Sequence, residues 1–289
     1  METLLDPFGY AFFVKGLVVA TLTGGLCGLI GVYITLRGMS YIGHGLSHAI
    51  FGGFAVSALI NINYYLGAGV WGLASALLIN KVTRGRRIGA DAAIGVITTS
   101  SFALGVALLT RFGNKGPSFD AALFGSIIGV SALDVWALVV VTGVTAAVIF
   151  LNYRALLFAT FDPDVADVSG VRVARTDALL MLVLSLAILA TLTVIGVTLV
   201  AATLVIPAVV ARMLTNRFSS MLWISTLVGS ASGFVGMNLS YHLDVPSGTM
   251  IVLTGAAVFT VAYAVTGGRR LARSPQTVAQ TDPAVVSSI

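Results

Sequence analysis

The chain has 289 residues, of which 57% are hydrophobic and 9% charged, with a net charge of +5. A soluble domain carries roughly a quarter charged residues, and so few polar side chains cannot cover the water-facing surface of a fold this long. Lipid is therefore the expected solvent, and the positive balance does not point to nucleic acid, because the basic residues fall in short loops between apolar runs. The single cysteine, Cys27, leaves no intramolecular disulfide and no cysteine-based zinc site.

A bilayer core takes about 20 apolar residues per helix. In chain order, nine stretches qualify: 10–34, 41–60, 64–80, 92–110, 134–151, 177–196, 198–214, 219–241 and 248–266. Glu2 and Asp6 precede the first stretch. A secretory signal opens basic, so 10–34 is expected to stay as the first span. Gly24 and Gly28 form a small-residue pair, and Gly45, Ala49 and Gly53 a longer row, which lets helices approach closely.

The second stretch carries the most informative segment, Gly38-Met-Ser-Tyr-Ile-Gly-His-Gly-Leu-Ser-His-Ala-Ile-Phe-Gly-Gly53. His44 and His48 are four apart, so a helix puts both imidazoles on one face, and Gly52 continues that face with open space beyond it. Counting about 1.5 Å per residue from Met39 places His48 near the middle of a roughly 30 Å core. Ionisable groups at that depth mark a pathway or site, and imidazole suits zinc and other first-row metals. The bland reading is that the two histidines only hydrogen-bond between helices; two at this spacing, facing a glycine, favour ligation.

Asp91, Asp134 and Asp177 each open a span and fit helix starts or caps. The stretch 121–131 is too short to span and reads as a re-entrant or interfacial helix. The polar loop from Phe158 to Val173 contains a helix signature: Asp162 as cap, Pro163 at the first helical position and Gly170 as terminator. A short helix presented there is a docking feature. Only Gly196 separates 177–196 from 198–214. In the loop 243–248, Asp244 lies two residues after His242; a turn is the plain reading, and a mouth for an incoming cation the functional one.

Lys and Arg set the orientation. With the N-terminus outside, inner loops hold Arg37, Lys81, Arg84, Arg86, Arg87, Arg154, Arg172, Arg175, Arg212, Arg217, Arg269, Arg270 and Arg273, against Lys15, Arg111 and Lys115 outside. The expected topology is N-out and C-in. Residues 1–273 read as one transmembrane domain, and 274–289 as a disordered cytoplasmic tail. No phosphate-binding G-x-x-x-x-G-K-[ST] loop, H-E-x-x-H or other enzyme motif occurs. Energy for active transport would come from another subunit or an ion gradient.

With those segments read, the sequence resembles the permease subunits of manganese/zinc-type ABC importers over residues 10–266. The resemblance rests on MSYIGHGLSHAIFGG, GADAAIGVITTSSFALGVALL, LFGSIIG, TFDPDVADVSGV, VTLVAATLVIPAVVAR and LDVPSGTMIVL, in that order. It implies an all-α helical bundle of about eight or nine spans, allied to the vitamin B12 permease type, in a bacterial inner membrane. It also implies a permease homodimer, two cytoplasmic ATPase subunits and an extracytoplasmic metal-binding protein. The chain itself is then no enzyme and holds no permanent cofactor; zinc or manganese is cargo. The loop residues Asp162, Asp164, Ala166, Asp167 and Gly170 would dock on the ATPase.

Family members usually read Asp-x-x-x-His where this chain reads His44-x-x-x-His48, so His48 carries over and His44 is a departure. Trading a carboxylate for an imidazole shifts preference from manganese toward zinc; manganese or iron import is the alternative within the family. A self-sufficient secondary transporter or channel would use intramembrane carboxylates, and those here touch only span ends. An intramembrane metalloenzyme would need a third ligand and a general base, which the sequence does not offer.

Overall fold

A computed structural model describes residues 6–60, 62–84, 89–112 and 130–267. After a short 3-10 turn at Asp6–Gly9 come α1 (Ala11–Leu36), α2 (Ile42–Leu59), α3 (Tyr64–Arg84), α4 (Ala90–Phe112), α5 (Ala132–Leu151), α6 (Tyr153–Phe161), α7 (Pro163–Val168), α8 (Val173–Ile195), α9 (Val200–Leu214), α10 (Phe218–Leu243) and α11 (Ser247–Thr266). No strand occurs among the described residues. Residues 121–129 of the expected outer segment and the whole tail 274–289 lie outside them.

Eight of the helices are long and apolar enough to cross a membrane, and α9 is a shorter apolar helix of 15 residues. The expected break at Gly196 is present. Gly196 adopts φ +82°, a conformation that costs a residue bearing Cβ, and its N–H closes α8 on Leu192 O. The nine stretches thus become eight full-length helices plus α9, whose length of about 22 Å falls short of a roughly 30 Å core.

Burial follows the glycines. α1 is the central helix and packs chiefly on α10 and α9. Gly24 and Gly28 lie directly against the α10 backbone at Gly229 and Ser225, and Gly233 against Ala20. The Ser225 hydroxyl donates to the Gly28 carbonyl at 2.6 Å. Without hydrophobic drive between helices in lipid, such close backbone packing and interhelical bonds carry association. The Gly45–Ala49–Gly53 row divides its contacts: Gly45 abuts Ile94 and Thr98 of α4, and Gly53 abuts Trp71 of α3.

The two ends of the bundle are chemically distinct. At one end, Phe13 packs edge-on to Tyr241, and the Tyr65 hydroxyl donates to Asp134 at 2.7 Å. At the other, Phe218 packs against Tyr33, Tyr153 and Phe161. Chain alternation puts Arg37, Lys81, Arg154, Arg172, Arg175, Arg212 and Arg217 at this second end.

Asp134 completes a capping box with Ser131, and Asp91 sits in the first turn of α4, as the sequence indicates. Asp177 departs from its expected cap role. α8 begins a turn earlier, at Val173, and the Asp177 carboxylate instead pairs with Arg37 at 2.7 Å.

Candidate metal pathway

The helix α2 brings His44 and His48 together on one face, with ring centroids 4.3 Å apart. His48 Nδ1 lies 2.9 Å from the His44 carbonyl oxygen. A carbonyl only accepts, so this bond requires the proton on Nδ1, and in the neutral ring Nε2 is then the nitrogen that can ligate. Phe102 of α4 meets the His48 ring edge-on at 4.8 Å, and Tyr41 lies 5.5 Å from the His44 ring. Phe51 extends the aromatic wall, 5.4 Å from Phe102. Both imidazoles are half-buried, so the face is not sealed within the protomer.

Depth follows from the neighbours. Phe102 is near the midpoint of the 23-residue α4, about 18 Å from its start and 15 Å from its end by helical rise. His48, packed on it, shares that level. The adjoining flank of α2 is anchored: the buried Ser47 hydroxyl lies 2.8 Å from both the His44 carbonyl and the carbonyl of Val197, in the α8–α9 break. Ser101 Oγ donates to Ala49 O at 3.2 Å and accepts from Trp71 Nε1 at 2.6 Å.

Gly52 does not leave open space. A Cβ there would lie 2.5 Å from the Ser101 carbonyl oxygen, and Gly105, one turn further along the same face of α4, abuts the Gly52 backbone. The glycine serves a close α2–α4 crossing. The room around the histidines comes instead from the unsealed flank of α2.

No group of three or more His, Cys, Asp or Glu residues able to hold a metal occurs among the described residues. Two imidazoles alone therefore stand at this level. No hydrogen bond or ion pair joins His242 and Asp244 among the described residues. Asp244 caps α10 in the left-handed region at φ 51° and is exposed, the conformation of the plain turn. His242 packs edge-on to Tyr241, with Nε2 buried and without a partner among the described residues.

At the basic end, the short helix expected between Asp162 and Gly170 is present as α7. Asp162 accepts from the Val165 N–H at 3.0 Å, and Pro163 opens the helix. Gly170, at φ +81°, donates to Asp167 O, while the Val171 N–H reaches Ala166 O at 2.9 Å. That bond pair is a Schellman closure. Ala166 is buried against Ala159 and Val173, so it seats the helix; Asp164, Val165 and Asp167 face outward, and Val168 is 92% exposed.

Sequence reading missed three partners: Phe102 behind His48, the Ser47 anchor at the break, and the Arg37–Asp177 pair. A phenylalanine or serine within an apolar run carries no distinguishing signal, and the ion pair joins residues 140 apart.

The model of the ABC 3 transport family matches residues 9–266. The chain is 37% identical over 254 residues to the manganese transport system membrane protein MntC of Halalkalibacterium halodurans, covering 88% of this chain and 87% of that protein. It is 35% identical to the manganese import system permease protein ScaB of Streptococcus parasanguinis over 88% of this chain and 90% of that one. Among solved structures, a chain of PsaBC from Streptococcus pneumoniae, determined in complex with a Fab, superposes with a TM-score of 0.81 at 30% identity. It covers 90% of this chain and 94% of that chain.

Proposed function

The chain belongs to the ABC 3 transport family and is a metal permease with the vitamin B12 permease type of fold; from that premise we propose that it carries a divalent first-row metal ion inward by way of His44 and His48. The observation that carries this reading is the pair of imidazoles 4.3 Å apart at mid-helix depth, with His48 Nδ1 turned to the His44 carbonyl. Transport is driven by two cytoplasmic ATPase subunits acting on a homodimer of this chain, and an extracytoplasmic protein delivers the ion. Zinc is usually four-coordinate, so two imidazoles hold an ion only in part. Water, or the second copy facing the unsealed flank of α2, supplies the rest, and such a sparse site can release what it binds.

The names of the relatives MntC and ScaB support manganese as cargo. Zinc is the second reading, and one observation favours it: the donors here are both nitrogen, which suits zinc better than manganese. His44→Asp adds a hard oxygen donor. The expected result is a manganese-to-zinc uptake ratio about tenfold above wild type, equivalent to roughly 1.4 kcal/mol of altered preference. An unchanged ratio removes His44 from selectivity and returns the choice of ion to the delivering protein.

The basic end is cytoplasmic in this reading, with the N-terminus outside and the C-terminus inside, in a bacterial inner membrane. Cys27 is buried in α1, so a background lacking it leaves single cysteines at 164 or 168 as reporters. They are expected to resist impermeant thiol reagents added to intact cells. Ready labelling from outside reverses the orientation.

A further inference from the structure

The Arg37 side chain joins three elements at the basic end. Its Nη1 donates to Asp177 of α8 at 2.7 Å, and its Nε donates to Thr160 of α6 at 3.1 Å. Thr160 Oγ1 in turn donates to Leu156 O at 2.6 Å, so the hydroxyl is fixed in place. The ion pair is largely withdrawn from water, with the two side chains 10% and 17% exposed. A third nitrogen, Nη2, is buried without a partner among the described residues. A purely structural clamp gains nothing from that orphaned donor, which carries a desolvation cost.

What the bridge connects gives it meaning. Thr160 lies two residues before Asp162, the cap of α7, and Asp177 lies on the helix that leaves the same loop. Arg37 itself is the C-cap of α1 and stands seven residues before His44. The chain between them is short and bonded at three points. Gly38, at φ +67°, donates to Thr35 O, Met39 N–H donates to Ile34 O, and Ile42 N–H donates to Met39 O. A displacement of α6 and α8 therefore meets a short, partly bonded link before α2.

Resting on the ATP-driven reading above, we propose that Arg37 is the strut that transmits movement of the α6–α8 docking segment to α2 and its histidine pair. It is a positioning residue for transport: it touches no cargo and acts through α2.

The test uses the full transporter, this chain with its ATPase and delivering protein in proteoliposomes, and reads metal ions imported per ATP hydrolysed. A merely structural role would lower assembly and leave that ratio unchanged. Arg37→Gln and Asp177→Asn are expected to leave basal hydrolysis within about twofold and lower the ratio about tenfold. The exchanged pair Arg37→Asp with Asp177→Arg is expected to recover part of it. A ratio in assembled Arg37→Gln within twofold of wild type overturns the proposal. Should that variant fail to assemble, Thr160→Val, which removes the α6 arm along with the local bond to Leu156 O and keeps the side-chain size, decides: a lowered ratio supports the strut and a wild-type ratio overturns it. Wild-type transporter with no ATP-dependent uptake overturns the underlying functional reading as well, which separates the two failures.

Discussion

His48→Ala is expected to lower metal uptake about 100-fold or more while the protein still folds and inserts. Changes to residues that merely orient metal ligands cost 10–100-fold in affinity or activity, and here the ligand itself, one of two, is removed. The fold has little reason to fail. Alanine is the best helix former, and the bond given up, from His48 Nδ1 to the His44 carbonyl, is worth about 1 kcal/mol net. The α2 anchors at Ser47 and Ala49 use other atoms, the Gly52 contact is made by its backbone, and all three stay in place. Uptake of zinc and manganese, normalised to folded protein, checks the result; wild-type transport of both ions in His48→Ala ends the ligand role.

Disturbing α7 is expected to uncouple ATP hydrolysis from uptake with equal completeness. Gly170 holds φ +81° and its N–H closes the helix on Asp167 O. Proline locks φ near −65° and has no N–H, so Gly170→Pro removes both conditions for the closure. The helix is then re-aimed together with its exposed Val168. Paired reversal of Asp164 and Asp167 to lysine leaves the Asp162 cap and the Gly170 closure in place and inverts the charge the helix presents, since both residues are exposed. Neither change touches a membrane-crossing helix, so insertion should persist. ATPase co-purification and uptake per ATP are the readouts; full coupling in both variants would show that α7 is not the docking element.

What was legible in the sequence was local. Asp162, Pro163 and Gly170 each act within one turn of themselves, so the short helix between them could be read directly. The spacing of His44 and His48 fixes their common face for any helix. The Gly196 break needed only a glycine between two apolar runs, although the shortness of α9 did not show.

What was not legible depends on neighbours distant in the chain. Gly52 looked like room beside the histidines, because periodicity names a face and not what covers it; the α4 backbone at Ser101 does. Asp177 looked like a helix cap, because its partner Arg37 is 140 residues away and α8 starts a turn sooner than hydropathy alone marks. Nor could the sequence show that Nε2 of His242 is buried without a partner among the described residues, two residues from the exposed turn at Asp244.

The most direct measurement is metal uptake into proteoliposomes containing the permease, with and without its ATPase, and with ATP supplied on the ATPase side or withheld. Import by an ABC permease is expected to require both the ATPase and ATP, with no uptake down an imposed proton, sodium or metal gradient by the permease alone. Gradient-driven uptake by the permease in the absence of the ATPase would contradict it and make the chain a self-sufficient transporter.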